Sequence, residues 1–161
     1  MREFVVPRDT IQEEAAIDIN APPEQVAAIY RDVERWGDTF AATIASAHVH
    51  RSGENWKQIE VIHKQEGSVP NTLIDLSPAE IGLQESKHRF DASFLNRFEP
   101  TADGGTHYVI HGYVRLKGIY SLLKPFLAGY VRRQTLKQMT SYVLIPLKTA
   151  AEKASSYKIA S

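Results

Sequence analysis

The chain has 161 residues, with 19 basic and 19 acidic side chains, a formal net charge of zero and no cysteine. That length fits one domain with a real core. The balanced charge argues against nucleic acid as the main partner, since phosphate binding needs a basic footprint, and the missing cysteines exclude disulfides, thiolate metal sites and a cysteine nucleophile. The first fourteen residues lack the apolar core of a signal peptide. The most apolar segment, Ile119 to Val131, is too short to span a bilayer and carries Lys124. The expectation is a cytoplasmic protein without a transmembrane segment.

Ala15, Ile17 and Ile19 alternate with Glu14, Asp18 and Asn20, which predicts a short strand with one buried face. Pro22 and Pro23 follow. Proline is disfavoured inside a sheet and suits the first turn of a helix, where its missing N–H had no partner. Val26, Ile29, Tyr30, Val33 and Trp36 then recur at helical spacing, and Gly37-Asp38 ends or turns the helix. Candidate strands follow at Thr43–Arg51, Trp56–Lys64, Thr72–Ser77, Ile81–Lys87, Ala92–Phe98 and Thr106–Leu116. The separators SGEN, EGSVPN, SPAE and PTADGG carry turn chemistry. Strands this close, joined by short turns, form an antiparallel meander. In the last strand Tyr108, Ile110, Gly112, Val114 and Leu116 share one face; Phe90, Phe94 and Phe98 share one parity in the strand before it.

After Gly118 the apolar period changes from two to about 3.6. Ile119, Leu122, Leu123, Phe126, Leu127, Tyr130 and Val131 make one stripe, continued by Leu136, Met139, Val143, Leu147 and Ala150. This predicts one C-terminal helix of roughly thirty residues, ~45 Å long. Pro125 lies near its start, and Pro146 should kink it by removing the bond to the Tyr142 carbonyl. A bent antiparallel sheet wrapped around the helix would cover it. The expected organisation is an extension over residues 1–11, one domain over 12–154 and a frayed tail over 155–161.

The segment IDINAPPEQVAAIYRDVERW resembles the opening of the START/Bet v 1-like (SRPBCC) superfamily, in its polyketide cyclase/dehydrase and lipid-transport branch. FLNRFEPTADGGTHYVIHGYVRLKG resembles that branch's penultimate hairpin and last strand, and LIPLKTAAEK the end of its C-terminal helix. The likeness spans residues 12–154 and rests on the order and spacing of these segments. It departs at Gly37, where many relatives carry proline. It implies an α+β helix-grip fold: a curved antiparallel sheet of about seven strands around a long C-terminal helix, with two short helices after the first strand. It also implies a cavity between sheet and helix that often holds a hydrophobic small molecule.

Such a cavity has a physical cost. Engineered voids destabilise by ~24 cal/mol per Å³, so an empty pocket of ~300 Å³ costs ~7 kcal/mol. Domains are stable by only ~5–15 kcal/mol. A hollow domain therefore keeps its pocket wet and polar-lined, collapses it or fills it. Polar residues of inward parity become the ones to examine.

Asn96 shares parity with Phe94 and Phe98; its amide either bonds a ligand or is satisfied by backbone or water. His63 follows Ile59 and Val61 and is a ligand contact, an acid/base group or a satisfied rim histidine. Glu85 follows Ile81 and Leu83; inward, it is an acid/base candidate with a raised pKa, and otherwise a strand end at the rim. Tyr108, Phe126, Tyr130, Met139 and Tyr142 either line the pocket with Phe94 or form ordinary core. His48 and His50 on one strand face lack a third metal ligand at convincing spacing, so no metal is expected. His107 and His111 lie on the solvated face. Arg132, Arg133 and Lys137 form a basic cluster that is either a solvated face or a contact for anionic headgroups or a ligand carboxylate.

The chain contains no G-x-S-x-G elbow, H-E-x-x-H pair or P-loop. The functional expectation is binding or transport of a hydrophobic or amphipathic small molecule (lipid, quinone or polyketide-like) without a cofactor. Transient membrane contact is compatible with it. The alternatives are a polyketide cyclase or dehydratase using His63, Glu85 or Asn96 in the same cavity, and an interaction protein whose cavity is filled by its own side chains.

Overall fold

In the computed structural model, which describes residues 1–160 and side chains as far as Lys158, the alternation of the first strand sets the frame. β1 (Ile11–Ile19) buries Ile11 and Ile19 and turns Gln12, Glu14, Ala16 and Asp18 outward. The chain then enters α1 (Pro23–Arg31), with Pro22 at its N-cap. The strand-to-helix junction is pinned where the Thr106 hydroxyl donates to the Ala21 carbonyl at 2.7 Å. Val26, Ala27 and Tyr30 form the buried stripe of α1.

The apolar spacing that runs on to Trp36 is interrupted at Asp32, giving the two short helices that the resemblance implies. A short 3₁₀ turn (Val33–Arg35) and α2 (Trp36–Thr39) follow. Gly37 sits inside α2 and does not end it. A Cβ there would lie 2.7 Å from the Ala45 carbonyl oxygen, so glycine lets α2 press against the next strand.

Among the described residues, seven strands form one antiparallel sheet in the order β1-β7-β6-β5-β4-β3-β2. The remaining strands are β2 (Ile44–Ser52), β3 (Trp56–His63), β4 (Gly67–Ser77), β5 (Glu80–Ser86), β6 (Phe90–Pro100) and β7 (Thr106–Leu116). EGSVPN is not a separator: Gly67 to Asn71 belong to β4. Pro70 is tolerated because it pairs only with Glu60 of β3; the ladder to β5 begins one residue later, at Asn71. Register places Leu83 beside Phe94, Phe94 beside Gly112 and Asn96 beside Ile110, so the inward parities read from the sequence lie side by side on the concave face.

The first ten residues cross the convex face as an ordered strap. The Arg2 N–H donates to Asn55 Oδ1 at 2.8 Å, the Arg2 guanidinium covers the Trp56 ring, and Gln84 donates to the Val5 carbonyl.

The long C-terminal helix is present, as expected, but interrupted. It consists of α3 (Ile119–Leu122), α4 (Lys124–Met139), a π-helical turn (Thr140–Leu144) and α5 (Ile145–Ala160). The wide turn immediately precedes Ile145-Pro146, which is how the helix continues past a proline without an N–H to offer. The expected frayed tail is instead helical through Ala160; Ser161 lies outside the described residues.

The apolar stripe also divides. Met139, Leu144, Leu147 and Ala151 are buried, whereas Ile119, Leu122, Leu123, Phe126, Tyr130 and Leu136 are exposed. The deeply buried apolar side chains lie in the second half of the rod. α5 packs on α1 and β1, Asn20 N–H donates to Glu152 at 3.0 Å, and Lys148 Nζ donates to the Asp18 carbonyl at 2.6 Å. α4 rests on the β1 and β7 side of the sheet, not on β2 to β5. No described helix is long and apolar enough to cross a membrane.

This division predicts unequal mutational costs. Leu147→Ala should lower stability by about 2–5 kcal/mol through lost burial and a cavity, while Phe126→Ala should change it by no more than about 0.5 kcal/mol. Urea denaturation of both variants reads the difference.

Candidate functional site

The space between α4 and strands β3 to β7 is a cavity of ≈ 610 Å³. Its walls follow from strand parity. Val61, Leu83, Ala92, Phe94, Ile110 and Val114 line it from the sheet; Leu127, Val131, Met139, Tyr142 and Val143 line it from the helix. Gly112 sets the closest approach of the two layers. A Cβ there would meet Met139 Sδ at 3.1 Å and Phe94 and Thr135 at 3.3 Å. The π-helical turn supplies Tyr142 and Val143, so the irregularity beside Pro146 shapes one wall.

One end of the cavity is closed by aromatic packing and a saturated polar hub. Tyr30 lies against Trp36, Phe40 and Phe98 with ring centroids 5.5, 6.3 and 6.2 Å away, and Phe98 stacks on Tyr108 at 4.8 Å. The Tyr108 hydroxyl donates to Asn96 Oδ1 at 2.6 Å; Asn96 Nδ2 donates to the Ile81 carbonyl at 3.1 Å and to the Tyr30 hydroxyl at 3.3 Å. Burial raises both phenol pKa values, so both rings stay neutral, as these bonds need. The Tyr30 oxygen accepts here, and the ring is part of the cavity lining.

The other end is charged. Continuing the parity of Ile81 and Leu83 brings Glu85 and Lys87 inward, and His63, Glu66 and Arg89 complete a polar rim. Lys87 bonds Glu66 and lies 3.7 Å from Glu85. Burial raises the Glu85 carboxyl above its ordinary range; Lys87 opposes this and Glu66 adds to it. Burial and then Lys87 hold His63 below its ordinary value, with Glu66 pulling the other way. A neutral imidazole presents one donor and one acceptor. Nε2 of His63 is buried and has no hydrogen-bond partner among the described residues. Arg89 lies over the Tyr120 ring at the mouth.

His63, Glu85, Phe94, Asn96, Tyr130, Met139 and Tyr142 are therefore brought to one cavity. Asn96 is committed to its own network, and Tyr108 is fully buried behind it, outside the lining. Phe126 is corrected: it projects into solvent from the outer face of α4 and does not line the cavity. Tyr30, Lys87, Gln134, Thr135 and Gln138 line it without having been anticipated. Lys87 was readable from strand parity. The three helix residues interrupt the apolar pattern, which was the available signal.

Four other histidines lie elsewhere, each with its own carboxylate. His48 Nδ1 meets Glu34 at 3.2 Å and His50 Nε2 meets Glu60 at 3.0 Å. Across the β1–β7 ladder His107 meets Asp18 and His111 meets Glu14. A second groove of ≈ 650 Å³ lies open on the convex face over polar side chains such as Gln58, Thr72, Gln84 and Ser93.

No protein-family model and no curated protein sequence matches this chain. Solved structures do. The Zhui aromatase/cyclase from Streptomyces sp. R1128 is 18% identical, with 89% of this chain and 94% of that one covered at a TM-score of 0.69. A START superfamily protein from Mycobacterium smegmatis is 14% identical over 80% of this chain and 99% of that one, at 0.55. The di-domain ARO/CYC StfQ from the steffimycin biosynthetic pathway is 12% identical over 91% of this chain, which spans 52% of that one, at 0.73. At these identities the likeness is one of fold: the chain has the helix-grip fold of START and Bet v 1-like proteins.

Two measurements check the site's energetics. Tyr108→Phe strands a buried amide oxygen and should cost about 1–3 kcal/mol in urea denaturation. The folded chain keeps a proton on Glu85 that the unfolded chain releases near pH 4.5. Stability therefore falls as pH rises from there through the raised folded value. Glu85→Gln should melt higher than the parent at pH ~8, by ~2–4 °C per kcal/mol gained, with the gap closing by pH ~4.

Proposed function

We propose that the chain binds an amphipathic small molecule of the lipid, quinone or polyketide-like classes, with its apolar body between Phe94 and Val131 and its polar end at His63, Glu85 and Lys87. The cavity is the observation that carries this reading: ≈ 610 Å³ of space with an apolar waist and one polar rim. At ~24 cal/mol per Å³, a dry void of that size would offset the whole stability of an ordinary domain. A guest or ordered water must hold it open. Apolar walls favour a guest whose burial contributes ~25 cal/mol per Å². The unpartnered Nε2 and the buried carboxyl favour a hydroxyl or carbonyl at its polar end.

A second reading has its own support. An imidazole held below its ordinary value and a carboxyl raised by burial, on one cavity, are candidates for a base and an acid. In a cyclase or dehydratase, His63 would take a proton from a methylene between two carbonyls, and Glu85 would protonate the carbonyl oxygen that the new carbon–carbon bond leaves negative. On that reading Glu85→Gln and His63→Ala abolish ring closure of a poly-β-ketone while the cyclised product still binds.

Native mass spectrometry of the purified protein, with thermal shifts against a fatty acid, a ubiquinone analogue and a flat aromatic polyketide, tests the binding reading. At least one class should bind and raise Tm. Val131→Trp, which fills the waist from the helix, should weaken that binding at least ~10-fold, about 1.4 kcal/mol, and leave the fold intact by circular dichroism. No adduct and no shift with all three classes would exclude it.

A further inference from the structure

We propose that α3 and the first half of α4 dock the protein on an anionic phospholipid bilayer, with the mouth of the cavity beside the contact. Ile119, Leu122, Phe126 and Tyr130 are 67, 78, 83 and 58% exposed. Ile119 and Leu122 lie three apart on α3 and Phe126 and Tyr130 four apart on α4, so each pair shares one side of its own helix. Four large side chains grouped this way form a patch, unlike apolar residues scattered singly over a surface.

Continuing the same spacing along α4 leads from Tyr130 to Arg133 and Lys137, with Arg132 adjacent. All three basic side chains are exposed and none has an ion-pair partner among the described residues. From Gly104 to Ala151 the chain carries seven basic residues and no acidic one, so the remainder holds the other 12 of 19 basic residues and all 19 acidic ones. A chain of zero net charge thus concentrates positive charge on the segment that exposes its apolar side chains.

Apolar side chains beside unpaired arginine and lysine match the boundary between acyl chains and phosphate headgroups. A second copy matches less well. The helix offers no carboxylate, so a contact between two such faces would crowd unpaired cations together. Tyr130 lines the cavity and belongs to the patch, and Tyr120 lines the cavity from α3. A guest therefore passes between membrane and cavity along the α3–α4 edge without crossing open water.

Flotation with vesicles of phosphatidylcholine, with and without phosphatidylserine, tests the docking. The protein should float with phosphatidylserine vesicles, and added salt should release it. Both Leu122→Ser/Phe126→Ser and Arg132→Gln/Arg133→Gln/Lys137→Gln should weaken binding at least tenfold. A Phe126→Trp reporter in the otherwise unchanged chain should shift its emission to the blue on those vesicles, which keeps the test decisive if a multiple variant misfolds. No flotation, or no blue shift and no loss in the variants, overturns the proposal. So does a dimer in sedimentation that Phe126→Ser dissociates, since the patch is then a contact between copies. Vesicle binding and adduct detection are separate readouts, so failure of docking leaves the cavity reading standing, and the reverse holds too.

Discussion

Burial of Met139, Leu144, Leu147 and Ala151 under β1, β7 and α1 is the contact on which the rest of the molecule depends. It fastens the second half of the C-terminal rod deeply, while the first half rests along β1 and β7 and stands off from β3 to β6. A rod held along its whole length would press α4 into β3 to β6 and close the cavity. A rod held nowhere would leave the concave face wet. The hollow is thus a consequence of where along the helix the deeply buried side chains stop.

The same contact sorts the polar groups. Near the anchor every buried polar atom of the hub is engaged: Tyr108, Asn96, Tyr30 and the Ile81 carbonyl satisfy one another. Away from it the sheet and helix diverge, and polar side chains are left facing space. There His63 keeps an unpartnered nitrogen, and burial pushes the Glu85 carboxyl above its ordinary range. A saturated end and an unsatisfied end on one cavity give a guest a direction. The polar hub maintains the closed end; the rim has spare hydrogen-bonding capacity for something from outside.

The exposed side of α3 and α4 follows from the same arrangement. A helix that spans a void has one face toward the cavity and the other toward solvent, and both are apolar here: Leu127 and Val131 inward, Leu122 and Phe126 outward. An apolar outer face with unpaired cations beside it is a surface in want of a partner. The ordered strap over the convex face is occupied elsewhere, bonded to Asn55 and Gln84.

Local chemistry alone determined the strands, their inward parity, the proline-led first helix and the long terminal helix, because period two, period 3.6 and turn residues act over a few neighbours. It therefore made His63, Glu85 and Asn96 candidates for the concave face, with a place at the rim left open for His63 and Glu85. It did not tell which of them was spare, since the partners of Asn96 come from residues 30, 81 and 108, brought together only by sheet register and by α1 packing. The sequence also offered one continuous apolar stripe from Ile119 to Ala150, and only tertiary structure split it into a gripped half and an exposed half. Periodicity identifies a face of a helix; what covers that face depends on where the curved sheet ends, and that is a property of strands distant in the chain. Phe126 and Met139 belong to the same pattern, yet one is in solvent and the other under Gly112.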